Sequence, residues 1–187
     1  MISFQKNPYD ISIFDEILTE NFIKKCIDNS DYKNYKRKEN WKDYIDNFQF
    51  NDIIDVAENK NTLKFDKTLL DPLLAKVKTV TGYDRIETSG HFIYPPTGYM
   101  GWHTNHTNPC IRLYITYATE DKKSFFRYRD MKTKKIITDY DDKGITIRKF
   151  FIPPSKHGYF WHCVGSMCDR ISFGFRINPE NEHFKYV

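Results

Sequence analysis

Arg170-Ile-Ser-Phe-Gly-Phe-Arg-Ile177 is the stretch on which the fold turns. Ile171, Phe173 and Phe175 alternate with Ser172, Gly174 and Arg176, the two-residue period of a strand with one apolar and one mixed face. The same alternation runs through 111–118, where Arg112, Tyr114 and Thr116 interleave with Leu113, Ile115 and Tyr117. Outward from these two, short segments rich in β-branched and aromatic residues recur near 85–94, 124–129, 134–139, 145–152 and 159–164, separated by turn residues. Seven or so short strands after Gly82 predict a β-sandwich or jelly roll.

The first 82 residues read as helical. Ser12 is placed to cap a segment in which Ile13, Phe14, Ile17, Leu18, Phe22 and Ile23 recur at helical spacing, with Asp15 and Glu16 in its first turn. Trp41, Tyr44, Ile45 and Phe48 point to a second helix. A third starts with Asp71 as cap and Pro72 at its first position, continues through Leu73, Leu74, Val77 and Val80, and closes at Gly82. No repeat or low-complexity linker divides the chain. The expectation is one α+β domain over 1–187, with 1–82 a mainly helical buttress packed on one sheet and 83–178 the β core.

Composition narrows the function classes. Aromatic residues at 17 % supply a core for one domain and argue against disorder. A net charge of +4, from 29 basic and 25 acidic residues with no basic cluster, argues against a nucleic-acid partner. No apolar run approaches the ~20 residues that span a bilayer, and Met1 to Asp10 lack the apolar stretch of a secretory signal. Cys26, Cys110, Cys163 and Cys168 form neither a disulfide framework nor a zinc pattern, so a soluble cytoplasmic protein is expected.

Two of the six histidines stand apart. His103 lies in Gly101-Trp-His-Thr-Asn105, and residues i and i+2 of an extended segment point the same way, so His103 and Asn105 aim at one point. His162 sits inside the apolar run Tyr159-Phe-Trp-His-Cys-Val164, where a polar side chain needs a partner. Arg170 and Ser172 follow on one face of the last strand. A guanidinium on so aromatic a strand calls for an anion, and a carboxylate matches its geometry.

In order and spacing, His-x-Asn, a distant His and then Arg-x-Ser resemble the iron(II)/2-oxoglutarate-dependent oxygenases over about residues 90–177. The resemblance implies a double-stranded β-helix, a jelly roll that holds Fe(II) through His103, Asn105 and His162. It further implies Arg170 and Ser172 on the distal carboxylate of 2-oxoglutarate, and Tyr94 lining that pocket. The implied reaction decarboxylates 2-oxoglutarate to succinate and hydroxylates a C–H bond of a small-molecule or peptide substrate. Asn105 stands where the family has Asp or Glu, and the loss of that charge leaves three outcomes: a ligating amide, a position for water or halide, or a silent binding barrel.

Rival assignments stay beside this one. His106 with His103 and His162 would make the three-histidine site of cupin-type dioxygenases. Arg112, Arg148 and Arg176 are alternative anion holders; Tyr99 and Trp102 are placed to meet substrate. His91 reads as core, His157 as a solvated loop, and His183 as part of a polar tail. Lys134, Lys135 and the acidic run Asp139 to Asp142 read as two sides of a solvated hairpin.

Overall fold

The computed structural model describes residues 4–50, 60–107 and 109–177; His183 lies outside them. Its strands are β1 (Gln5–Lys6), β2 (Lys60–Asn61), β3 (Leu63–Lys64), β4 (Ile86–Tyr94), β5 (Tyr99–His103), β6 (Cys110–Ala118), β7 (Ser124–Arg129), β8 (Ile136–Tyr140), β9 (Gly144–Ile152), β10 (His162–Ser166) and β11 (Arg170–Ile177). They form two sheets with antiparallel pairing throughout, ordered β1-β9-β6-β11-β4-β3 and β2-β5-β10-β7-β8. From β4 to β11 successive strands cross between the sheets, except at the β7–β8 hairpin, which is the wrapping of a jelly roll.

The period-2 alternation of β6 and β11 sets two different surfaces. Ile111, Leu113, Ile115, Ile171, Phe173 and Phe175 turn outward into one apolar cluster shared with Phe14, Ile23, Leu73 and Val77 of the N-terminal segment. The opposite face, with Tyr114 and Ser172, looks at the second sheet, where Phe126, Phe150 and Phe160 fill the space between. A third cluster, built on Trp41, Ile45, Trp102 and Trp161, covers the outside of the second sheet.

The N-terminal helices differ in detail from the sequence reading. Asp10, not Ser12, caps the first turn, accepting from the Ser12 amide at 3.0 Å, and that turn is a 3-10 helix over Ile11–Phe14. The α-helix starts later, as α1 (Glu20–Asp28), with Thr19 accepting from the Phe22 amide. The second helix shrinks to one turn, α2 (Asp43–Asp46). The third, α3 (Asp71–Thr81), has Leu70 rather than Asp71 at its cap and ends at Gly82, whose φ of 70° is a left-handed turn that glycine adopts freely. β5 was read from the sequence as a loop running into a short extended segment; the structure makes it a full strand.

Candidate functional site

β5 carries one residue too many for its partner, and this decides where His103 points. Val164 of β10 pairs with Met100 and His162 pairs with His103, so three steps on β5 match two on β10. The extra residue is a β-bulge at Gly101–Trp102. In a regular strand Met100 and His103, three apart, face opposite sides; here both line the cavity between the sheets. The bulge also turns Tyr99 and Trp102 outward together, and they are 0 % and 1 % exposed. Tyr44 stacks on Tyr99, and the Trp102 indole donates to the Ile45 carbonyl at 2.8 Å. These two rings therefore do not face a substrate; they fasten the N-terminal segment to the barrel.

His103 and His162 meet with ring centroids 4.1 Å apart, both buried. Nδ1 of His103 lies 2.8 Å from the Gly101 carbonyl, and Nδ1 of His162 lies 2.9 Å from the Phe160 carbonyl. A carbonyl only accepts, so each ring carries its proton on Nδ1 and keeps Nε2 as a lone-pair donor. Burial, then the neighbouring His103 and the Arg112 charge, hold the His162 pKa well below its ordinary value, against the pull of the Phe160 carbonyl. The ring is neutral at physiological pH, the form that binds metals. Asn105 follows in a left-handed conformation, φ 53°, which asparagine tolerates better than most residues, and its Nδ2 sits 3.1 Å from His162 Nε2.

Tyr94, Ser172, His103, Asn105 and His162 all line one cavity of about 150 Å³ between the sheets. The rings of Phe126, Phe150 and Phe160 lie 5.1–5.6 Å centroid to centroid from one another or from His162, so His162 has an aromatic surround. Among the described residues no three His, Cys, Asp or Glu side chains converge, so no other acid replaces the one that Asn105 lacks. His106 does not join: its Nδ1 lies 3.1 Å from the Thr104 hydroxyl and its ring packs edge-on against Tyr159. The three-histidine arrangement is thus not formed.

Arg170 is not on the cavity wall. It is 1 % exposed and lies with its guanidinium 4.9 Å from the Tyr94 ring centre. Its Nε donates to Asp141 at 2.9 Å and one terminal nitrogen to the Thr116 hydroxyl at 3.2 Å; Nη1 has no partner. Asp141 is the residue that the sequence reading missed. Far from lying on a solvated hairpin, it is 0 % exposed and also accepts from Arg148 at 2.5 Å and from Ser124 at 2.5 Å. Arg148 in turn donates to Asp139 at 2.6 Å, so two arginines face two aspartates. Burial alone would raise the Asp141 pKa, but Arg148 and Arg170 outweigh it and hold the carboxyl well below the usual range. The usable signal was the spacing of Asp139 and Asp141, two apart and so on one side of an extended chain. Arg112, by contrast, is on the wall itself, together with Lys60.

Two antiparallel sheets wrapped this way define a double-stranded β-helix. No sequence-family profile matches the chain, and no curated protein sequence does. Solved structures do match. A Pseudomonas putida prolyl-4-hydroxylase superposes with a TM-score of 0.54 over 94 % of this chain and 91 % of its own, at 12 % identity. A Trichoplax adhaerens prolyl hydroxylase, in complex with a hypoxia inducible factor peptide fragment, gives 0.51 over 93 % and 82 % at 12 % identity. A viral collagen prolyl hydroxylase from Paramecium Bursaria Chlorella virus-1, solved as a 2-oxoglutarate complex, gives 0.50 over 94 % and 96 % at 13 % identity. At these identities the likeness establishes the fold, the jelly roll of the prolyl hydroxylases.

Proposed function

We propose that the chain is an iron(II)/2-oxoglutarate-dependent oxygenase that hydroxylates a C–H bond of a small-molecule or peptide substrate. The observation that carries this reading is the imidazole pair at 4.1 Å, each ring fixed through Nδ1, with the amide of Asn105 beside Nε2 of His162. A carbonyl behind each imidazole is the support that metal-binding histidines usually have. Two ring nitrogens and an amide suit iron(II) among divalent metals. His103 and His162 would hold the ion, with Asn105 turning its amide by half a turn to offer Oδ1. With 2-oxoglutarate and O2, the iron supplies conversion of a C–H bond to an alcohol with release of succinate and CO2.

The other groups bind and shield. Ser172 and Tyr94 border the end of the cavity nearest Arg170, which lies behind the Tyr94 ring and would offer its unpartnered Nη1 to the distal carboxylate once that ring moves aside. Asp141 takes its Nε–H and Thr116 one N–H of the other terminal nitrogen, which fixes the guanidinium plane. The phenylalanine rings about His162 keep water from the imidazoles. The peptide held by the Trichoplax relative in fold supports a peptide as one substrate class.

The test is turnover of the co-substrate. Aerobic incubation with iron(II) and 2-oxoglutarate should release succinate from the wild type and none from His162→Ala. Failure of both succinate release and 2-oxoglutarate binding would leave the silent binding barrel, the reading that Asn105 favours.

A further inference from the structure

The buried arginines of this barrel are matched to acids with one exception. Arg148 and Arg170 face Asp139 and Asp141. Arg112 is 6 % exposed, its Nε has no partner, and among the described residues no hydrogen bond or ion pair reaches its guanidinium. An unpaired buried charge costs free energy, and exchanging such a group for an apolar one of similar size commonly stabilises a protein. Side chains that lower stability in this way are typical of binding sites.

The surroundings of Arg112 are those of an anion site. Its cavity is also lined by Lys60, the two imidazoles and Asn105, and among the described residues by no Asp or Glu. The ladder places it level with the imidazole pair: Arg112 is the β9 partner of Phe150, whose ring centre lies 5.6 Å from that of His162. Arg170 is far from this level. Arg112 on β6 pairs with Arg176 of β11, six residues beyond Arg170 on the same face, or roughly 20 Å along the strand. Arg170 is committed to Asp141 and Thr116 behind Tyr94, whereas Arg112 is on the cavity wall, so the barrel offers two anion positions. The Arg170 end suits the co-substrate; the Arg112 end lies beside the place where a C–H bond would be presented.

We propose that Arg112 receives a carboxylate of the molecule to be oxidised, so that the substrate is an acid anchored beside His103 and His162. The word substrate rests on the oxygenase reading; the anion site itself does not.

The experiment uses the full chain and a panel of N-acetylated amino acids paired with their primary amides, with 2-oxoglutarate absent and then saturating. Calorimetry should show acids binding at least about tenfold more tightly than the matching amides, the margin of a charge-assisted pair. Arg112→Met should remove that preference, and Arg112→Lys should keep part of it. Without ligand, Arg112→Met should melt at a higher temperature than the wild type, because it deletes an unpaired buried charge, and acids should no longer raise its midpoint. Equal binding of acids and amides overturns the proposal, as does a fall in the melting point of Arg112→Met. Loss of 2-oxoglutarate affinity in Arg112→Met as large as in Arg170→Ala also overturns it, by assigning Arg112 to the co-substrate. Should the wild type bind no 2-oxoglutarate, the oxygenase reading fails alone, and the acid-to-amide comparison still decides for or against the Arg112 site.

Discussion

His103 and His162 face each other across the β5–β10 ladder, and each ties its Nδ1 to the carbonyl of the residue two places before it, Gly101 and Phe160. The symmetry of this arrangement turns the unprotonated Nε2 of each ring away from its carbonyl anchor, with Asn105 beside that of His162. A divalent metal should therefore bind with both rings and not with one. His162→Ala is expected to lower affinity for iron(II) or manganese(II) at least about a hundredfold, as loss of one of two strong ligands implies. His106→Ala, whose ring turns to Thr104 and Tyr159, should leave it within about threefold; calorimetry measures both.

Asn105 places its amide nitrogen 3.1 Å from His162 Nε2, so a carboxylate at this position needs no amide turn and adds the missing charge. Asn105→Asp should tighten metal binding by roughly tenfold or more, since a unit charge at contact distance is strongly attractive in so buried a site. Aspartate also tolerates the left-handed backbone found there, φ 53°, so the fold should be kept. Unchanged affinity would mean that the amide does not approach the metal.

Asp141 joins Arg148 to Arg170 in the interior, and its removal strands both. Asp141→Asn should destabilise the protein by roughly 3–5 kcal/mol at neutral pH, as breaking a buried pair does. The folded-state pKa is depressed, so the unfolded chain binds the proton more readily and stability rises with pH across the window. The wild type's advantage over Asp141→Asn should be complete above the ordinary carboxylate pKa of about 4 and should shrink as pH falls below it. Denaturant titrations at pH 7, 4 and 3 give the three points needed.

Gly165 on β10 has no room for a methyl group. A Cβ there would stand 2.4 Å from the Trp41 ring and 2.6 Å from that of Phe125. Gly165→Ala should cost roughly 1–3 kcal/mol through displaced rings, seen as a lower melting temperature. Because Trp41 belongs to the cluster outside the second sheet and not to the cavity, metal affinity should move much less than stability.

The strands were the most legible part of the sequence. β6 and β11 alternate cleanly because one face meets the N-terminal layer and the other meets the second sheet. The convergence of His103 and His162 was legible from the order His-x-Asn, distant His and Arg-x-Ser that carries the resemblance. Its mechanism was not: the extended segment assumed for His103 and Asn105 is a bulged strand end followed by a left-handed residue. Pro95, Pro96 and Gly98 disguised the approach to β5, and the bulge broke the alternation that would have revealed it. Asp141 was misread because its partners come from distant strands; Arg170 lies 29 positions away. Acidic runs are solvated by default, and only the tertiary fold brings two guanidiniums to this one. Arg112 was one of three alternative anion holders in the sequence, and only its acid-free neighbours among the described residues separate it from Arg148 and Arg176.

The central claim is that the imidazole pair and the Arg170 end of the same cavity together bind iron(II) and 2-oxoglutarate. Anaerobic titration of the protein with iron(II), followed by 2-oxoglutarate, tests this most directly through the visible charge-transfer absorption of a chelated 2-oxo acid. The account predicts a band that saturates at one equivalent, that is absent in His162→Ala, and that needs a much higher 2-oxoglutarate concentration in Arg170→Ala. A wild-type spectrum that does not change on adding 2-oxoglutarate would contradict it.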